Sequence, residues 1–151
     1  MTGLEIVRAG ADEASFNEVF GLLLDLHKAG GYATLDVETA ALNAYAVLKE
    51  GMTFVAKVDG KAIGTLALTE LKFWYATQTF LQDAWLYVAP EHRKGVVGIQ
   101  LMRAAKDEAQ ARNKIAFVTL NNPDRRPKAT VMSLESQIAG YVPVGYTLKV
   151  R

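Results

Sequence analysis

Hydrophobic and polar positions alternate along "LEIVRA", Leu4 to Ala9, a pattern that predicts a strand with Leu4, Ile6 and Arg8 on one side. The period then lengthens. Phe16, Val19, Phe20 and Leu23 recur at helical spacing, so a helix is predicted from Glu13 to Lys28, capped by Asp12 and stopped by Gly30 and Gly31. A second helix is predicted from Asp36 to Glu50, with Ala41, Leu42, Tyr45 and Leu48 inward and Gly51 closing it. "MTFVAKVDGKAIGTLALTELKFWY" returns to β-rich runs, and Asp59-Gly60 between them is a strong hairpin signal.

A further strand, "TFLQDAWLYV", ends at Val88. By simple alternation Asp83, Trp85 and Tyr87 share one of its sides. After "APEHRKGV" a helix is predicted from Val97 to Arg112, with Val97, Leu101, Ala104 and Ala105 as its buried stripe. Glu108 and Arg112 fall one turn apart on its outer side, in the favourable order. "KIAFVTL" is a nearly continuous apolar run, as expected for a strand buried on both faces. Lys128 to Ala139 has a helical pattern, and "YVPVGYTLKV" reads as a closing strand. The predicted order is β-α-α-β-β-β-α-β-α-β, one α+β domain over residues 1–151.

Composition narrows the chemistry. The chain has 151 residues, half of them hydrophobic and 22% charged, which suits one folded domain with a substantial core. Its formal net charge of +1 gives no global attraction to nucleic acid or an anionic membrane. With no cysteine, disulfides, thiolate catalysis and cysteine-ligated metals are excluded. His27 and His92, the two histidines, are too few for a histidine-rich metal centre. "MTGLEIVRAG" lacks the apolar core of a signal peptide, and no run reaches membrane-spanning length, so a cytoplasmic protein is expected.

The informative stretch is "LYVAPEHRKGVVGIQLM", Leu86 to Met102: strand, short basic loop with two glycines, helix start. Amides in the first turn of a helix have no intrahelical partner, and the dipole makes that end positive, so the loop suits a phosphate or pyrophosphate. Arg93 and Lys94 add positive charge just before it. Gly95 and Gly98 serve equally well in a reading where they only allow tight turning and close packing.

The element order, the "VDGKAIGTLAL" hairpin, this loop and the "AGYVPVGYTL" ending together resemble the GNAT superfamily of N-acetyltransferases, from Leu4 to Val150. The resemblance implies a mixed central sheet of about six or seven strands flanked by about four helices. It implies acetyl-CoA as co-substrate, with its pyrophosphate on the loop and helix start formed by Arg93, Lys94, Gly95, Val96, Val97 and Gly98. The pantetheine arm then lies like an extra strand along Leu86, Tyr87 and Val88, where neighbouring strands splay apart, and Asn121 lies near the thioester or pantetheine. The sequence departs from the family's loop, Arg or Gln, two residues, Gly, one residue, Gly or Ala. Counted from Arg93, Val96 holds the first glycine position; counted from His92, Val97 holds the last. Arg93-x-Gly95-x-x-Gly98 is more similar to short acetyltransferase-like proteins of bacteriophages. A β-carbon at position 96 is compatible with binding if that residue keeps near-helical dihedrals, and not if a positive φ is required.

Acetyl transfer to an amine needs a base, an oxyanion stabiliser and a proton for the leaving thiolate. The resemblance points to Asp83 as base, with Glu70 in reserve, and to a backbone amide of Leu86 to Val88 for the oxyanion. The tyrosine acid of the family falls on Ser136, so Tyr146 is nominated instead, while Tyr141 at the aromatic turn reads as core. Asp83 reads equally as a solvated strand residue, and Tyr146 as packing.

Arg125, Arg126 and Lys128 can hold a further phosphate or merely line a solvated loop. "KFWYATQTF", Lys72 to Phe80, is aromatic for a hairpin tip and reads as pocket wall, dimer contact or satellite core. Trp74 and Trp85 are core or pocket wall, and His27 is expected to do no more than complement a helix end. Pro143 and Gly145 interrupt a short tail, which suggests that a partner subunit completes the sheet as a homodimer. The expected function is transfer of an acetyl group from acetyl-CoA to a primary amine in a ternary complex. The alternative is a non-catalytic relative that binds CoA or a partner protein; nucleic-acid binding and membrane association are not expected.

Overall fold

The computed structural model describes residues 3–93, 95–120, 139–142 and 144. Leu4–Ala9 forms β1, followed by α1 (Glu13–Gly30) and α2 (Val37–Lys49). Next come β2 (Thr53–Val58), β3 (Lys61–Lys72) and β4 (Thr79–Val88), a 3-10 turn at Pro90–His92, α3 (Val97–Ala111) and β5 (Ala116–Phe117). The strands form one sheet in the order β1-β2-β3-β4-β5, antiparallel throughout except for the parallel β4/β5 pair. Five strands and three α-helices are thus seen among the described residues, fewer than the six or seven strands and four helices expected. The helix predicted over 128–139 and most of the closing strand lie outside the described residues, and the described part of that ending, 141–142 and 144, carries no strand.

Local chemistry explains the boundaries. The Asp12 carboxylate accepts the Ser15 amide and that of Asp36 accepts the Thr39 amide, so both helices begin with a side-chain cap. Asp59 (φ 51°) and Gly60 (φ 80°) turn β2 into β3 with both central residues left-handed, the type I′ geometry that matches strand twist. Asn113 (φ 54°) ends α3 in the left-handed conformation that asparagine tolerates. Gly31 works differently. Its φ is −68°, and a β-carbon there would lie 2.4 Å from His27 Cδ2, so glycine is needed for room. His27 Nε2 donates to the Ala33 carbonyl at 2.8 Å, tying the α1–α2 connection to the helix end, a role beyond the dipole contact expected of it.

The sheet separates two apolar layers. On one face α3 contributes Val97, Leu101, Met102, Ala105 and Ala109 against Leu66, Leu68 and Leu81. Burial of each such leucine contributes about 1.5–3 kcal/mol. On the other face α1 and α2 contribute Val19 and Leu48 against Ala9 and Val55, with Trp85 packed alongside. Two expectations fail here. Leu42 is 64% exposed and Tyr45 43%, because α2 packs through the adjacent small stripe of Ala41, Ala44 and Leu48. "KIAFVTL" is not a strand buried on both faces: only Ala116 and Phe117 pair, and Ile115 is exposed.

Arg8 stands on the α3 side of β1 with Leu4 and Ile6, as the alternation predicts, and reaches α3. It donates to Glu108 Oε2 and to the Gly51 carbonyl, each at 2.6 Å. Glu108 Oε1 accepts from Arg112 Nε at 2.8 Å. Glu108 therefore does not sit on the outer side of α3 as expected; its side chain is 11% exposed between two guanidinium groups. Together they hold its carboxyl below the ordinary carboxylate value, Arg8 having the larger effect.

Candidate functional site

β4 carries an irregularity that decides where its side chains point. Ala67 pairs with Trp85 but Leu68 pairs with Asp83, so Ala84 is an extra residue with no partner on β3. Cross-strand partners share a face, and Leu68 belongs to the α3-side layer, so Asp83 faces α3. Trp85 packs on the α1 side, where its indole donates to Thr65 Oγ1, which donates in turn to the Phe54 carbonyl. Leu86 and Val88 return to the α3 side. Asp83 thus does not share a side with Trp85 and Tyr87, because the bulge inserts one residue and inverts the alternation.

The same bulge inverts the backbone. The Leu81 amide donates toward the β5 side, to the Ile115 carbonyl, while the Ala89 amide donates to Ile63 on the β3 side. Alternation back from Ala89 turns Tyr87 toward β3 and turns the N–H and C=O groups of Leu86 and Val88 toward the β5 side. There β4 loses its neighbour. Pairing with β5 consists of Leu81↔Ala116 and Gln82↔Phe117 and goes no further among the described residues.

At the fork, Asp83 Oδ1 accepts the Thr119 amide at 3.1 Å. Burial raises the Asp83 carboxyl above its ordinary value, and the Thr119 bond opposes that shift. Tyr141 lies on the same face. Its hydroxyl donates to the Met102 carbonyl at 2.8 Å, and burial, with Asp83 and Asp107 nearby, pushes its phenol up to about 12. It packs against the α3-side layer, as its reading as core requires.

The open edge of β4 leads to the start of α3. Val96 occupies the N-cap position at φ −93° and ψ 4°, and its side chain caps no amide. No positive φ is needed at Val96, so its β-carbon causes no backbone strain. Gly98 lies in the first turn, and a β-carbon built there meets nothing within 4 Å. Close packing among the described residues therefore does not account for Gly98. Arg93 Nε donates to the Val88 carbonyl at 2.8 Å, and its guanidinium carbon lies 5.5 Å from the centre of the Tyr87 ring. Tyr87 faces α1, and burial raises its phenol, with Asp25 adding to the shift and Arg93 opposing it.

Asp83, Leu86 and Val88 thus lie on the α3 side of β4, Arg93 bonds Val88, and Val96, Val97 and Gly98 open α3. Lys94, Asn121, Tyr146, Ser136, Arg125, Arg126 and Lys128 lie outside the described residues. Glu70 stands apart at the hairpin end, 3.4 Å from Lys114 Nζ. Trp74 is 94% exposed at the β3–β4 tip, where Phe73 packs on Phe80 and Phe80 on Phe117. Thr119 was not anticipated by sequence reasoning, since a backbone donor leaves no residue-type signal. Among the described residues no three His, Cys, Asp or Glu side chains are grouped to hold a metal, and no helix is long and apolar enough to cross a membrane.

Comparison with known proteins identifies the family and the fold. A family model described as an acetyltransferase (GNAT) domain matches residues 49–144. Among solved structures, the aminoglycoside acetyltransferase AAC(6')-Iy, in complex with the bisubstrate analog CoA-S-monomethyl-acetylneamine, superposes with a TM-score of 0.71 at 16% identity, over 98% of this chain and 97% of that one. A possible acetyltransferase from Clostridium difficile 630 gives a TM-score of 0.69 at 19% identity, over 98% and 96% of the two chains. The ribosomal-protein-alanine N-acetyltransferase from Brucella melitensis biovar Abortus 2308 gives 0.61 at 19% identity, over 97% and 99%. A search of curated proteins by sequence finds no match.

Proposed function

The chain belongs to the acetyltransferase (GNAT) family, and from that premise we propose that it transfers an acetyl group from acetyl-CoA to a primary amine in a ternary complex. The observation that carries this reading is the parted edge of β4, whose Leu86 and Val88 backbone groups run unpaired by β5 toward the start of α3. An amide-bearing arm fits that edge as an added strand, and a pyrophosphate fits the first-turn amides. Gly98 adds no side chain beside that first turn, and Val96, with no positive φ, does not oppose the fit.

In this reading Leu86, Tyr87 and Val88 receive the pantetheine, while Arg93, Lys94, Gly95, Val96, Val97 and Gly98 hold the pyrophosphate. Asn121 lies beside the thioester. The amine nitrogen attacks the thioester carbon, and an amide of the open β4 edge receives the developing oxyanion. Asp83, through water, takes the proton that the nitrogen loses; its raised pKa brings it closer to the amine it must deprotonate. As the carbon–sulfur bond breaks, the thiolate takes a proton, for which Tyr146 is the nominated donor. The relatives act on an aminoglycoside and on a ribosomal-protein alanine, which supports a primary amine as the acceptor class and nothing narrower.

A second reading has one residue in its favour: Ser136 stands where the resemblance places the tyrosine acid, so a relative that binds acetyl-CoA without transfer is the competing proposal. Two measurements separate them. Thermal unfolding with saturating acetyl-CoA is expected to rise by several degrees, since a ligand at 100 times its dissociation constant stabilises by about 2.7 kcal/mol. Release of free thiol with a panel of primary amines is then expected. A shift without thiol release would favour the binding-only reading, and no shift at millimolar acetyl-CoA would overturn both.

A further inference from the structure

Arg93 occupies a group that the proposed ligand needs. Val88 is the last residue of β4, and the Ala89 amide is bonded to Ile63 on the β3 side, so the Val88 carbonyl points to the parted edge. It is the terminal acceptor of that edge, and Arg93 Nε already donates to it at 2.8 Å. The guanidinium is held there by its place over the Tyr87 ring, 5.5 Å from the centroid. Arg93 also lies four positions before Val97, the first residue of α3. Its backbone therefore stands between the strand end and the helix start, within side-chain reach of either.

We propose that Arg93 is a latch on this site: it bonds the Val88 carbonyl when no ligand is bound and exchanges that carbonyl for a phosphate oxygen when the ligand enters. The inference rests on the acyl-CoA reading above and adds how the site closes and opens. The exchange conserves hydrogen bonds. The Val88 carbonyl gives up the arginine N–H and accepts an amide N–H of the incoming arm, while the guanidinium gains a charge-assisted bond that an uncharged arm cannot offer. A thioester lacking phosphates offers the guanidinium no such bond in exchange. The latch makes the site selective for the nucleotide-bearing form of the acyl carrier.

The test compares acetyl-CoA with acetyl-pantetheine, which carries the same arm and no phosphate, on the wild type and on Arg93→Ala, by NMR titration. In the variant, acetyl-CoA is expected to bind at least about tenfold more weakly, equivalent to about 1.4 kcal/mol. Acetyl-pantetheine is expected to bind several-fold more tightly, because the Val88 carbonyl is free. Arg93→Met keeps the stem over Tyr87 and is expected to behave alike, which guards against a folding defect in the shorter variant. Acetyl-pantetheine binding that is unchanged or weaker in both variants overturns the latch, leaving Arg93 as a phosphate ligand or a support for the loop. A wild type that binds acetyl-CoA but shows this second pattern refutes the latch alone; a wild type that binds no acetyl-CoA refutes the functional reading beneath it.

Discussion

The Asp83 carboxylate, one residue past the last β4 residue paired with β5, bonds the amide of Thr119, two residues past the last on β5. A side chain replaces a ladder bond where the two strands part, so the same carboxylate closes the fork and stands at its mouth. Asp83→Asn separates these roles, because the amide oxygen still accepts from Thr119. It is expected to leave acetyl-CoA affinity and the unfolding midpoint nearly unchanged while lowering kcat by about 100-fold or more. Asp83→Ala is expected to lower the midpoint as well, and calorimetry beside steady-state kinetics reads both.

Two carboxylates make opposite contributions to stability against pH. Asp83 titrates above its ordinary value, so the native state keeps a proton that the unfolded chain has lost, and stability falls as pH rises through that window. Glu108 titrates below its ordinary value, so its contribution is complete above the unfolded pKa and is lost as pH falls toward the folded one. Asp83→Asn is expected to flatten the first slope and Glu108→Gln the second. Denaturant unfolding between roughly pH 3 and 7 measures both slopes.

The Arg8–Glu108–Arg112 cluster joins β1 to the end of α3 on one face of the sheet. Arg8 is half exposed, which discounts the pair, so Glu108→Gln is expected to cost about 1 kcal/mol at neutral pH and less in high salt. Urea midpoints at low and high ionic strength check it.

Gly98 sets binding against stability. Alanine there meets no atom within 4 Å and suits a helix better, so Gly98→Ala is expected to stabilise the free protein by about 0.5–1 kcal/mol. The added methyl group stands in the first turn, beside the amides proposed to hold the pyrophosphate, and acetyl-CoA affinity is expected to fall. Gly64→Ala is the contrasting change. Its β-carbon would lie 3.0 Å from the Tyr87 carbonyl and 3.3 Å from Leu101, and overpacking of this kind costs about 1–3 kcal/mol.

Most elements were legible because their signals are local. The Asp12 and Asp36 caps, the Asp59-Gly60 turn and both ends of "TFLQDAWLYV" each depend on residue type and short spacing. The side on which Asp83 stands was not legible. From Ala84 onward β4 reads as a continuous apolar run, so no alternation marks the extra residue. In α2, Leu42 and Tyr45 lie one position beyond Ala41 and Ala44. Larger residues dominate a hydrophobic pattern, but the smaller ones allow the helix to approach the sheet. The short extent of β5 was hidden for a tertiary reason: Lys114 reaches back to Thr79 and Glu70, leaving Ile115 outside the layer. At the site, the basic loop between β4 and α3 was visible from Arg93, Gly95 and Gly98, while Thr119 and the Arg93–Val88 bond involve backbone groups that every residue has.

Amide hydrogen exchange with and without saturating acetyl-CoA tests the central claim most directly. Slowed exchange at Leu86 and Val88 and in the first turn of α3, from Val97 to Ile99, with little change along β1 and β2, is the result expected of an arm added to β4 and a phosphate on α3. Unchanged exchange at those amides under saturating ligand, or protection confined to another part of the molecule, would contradict it.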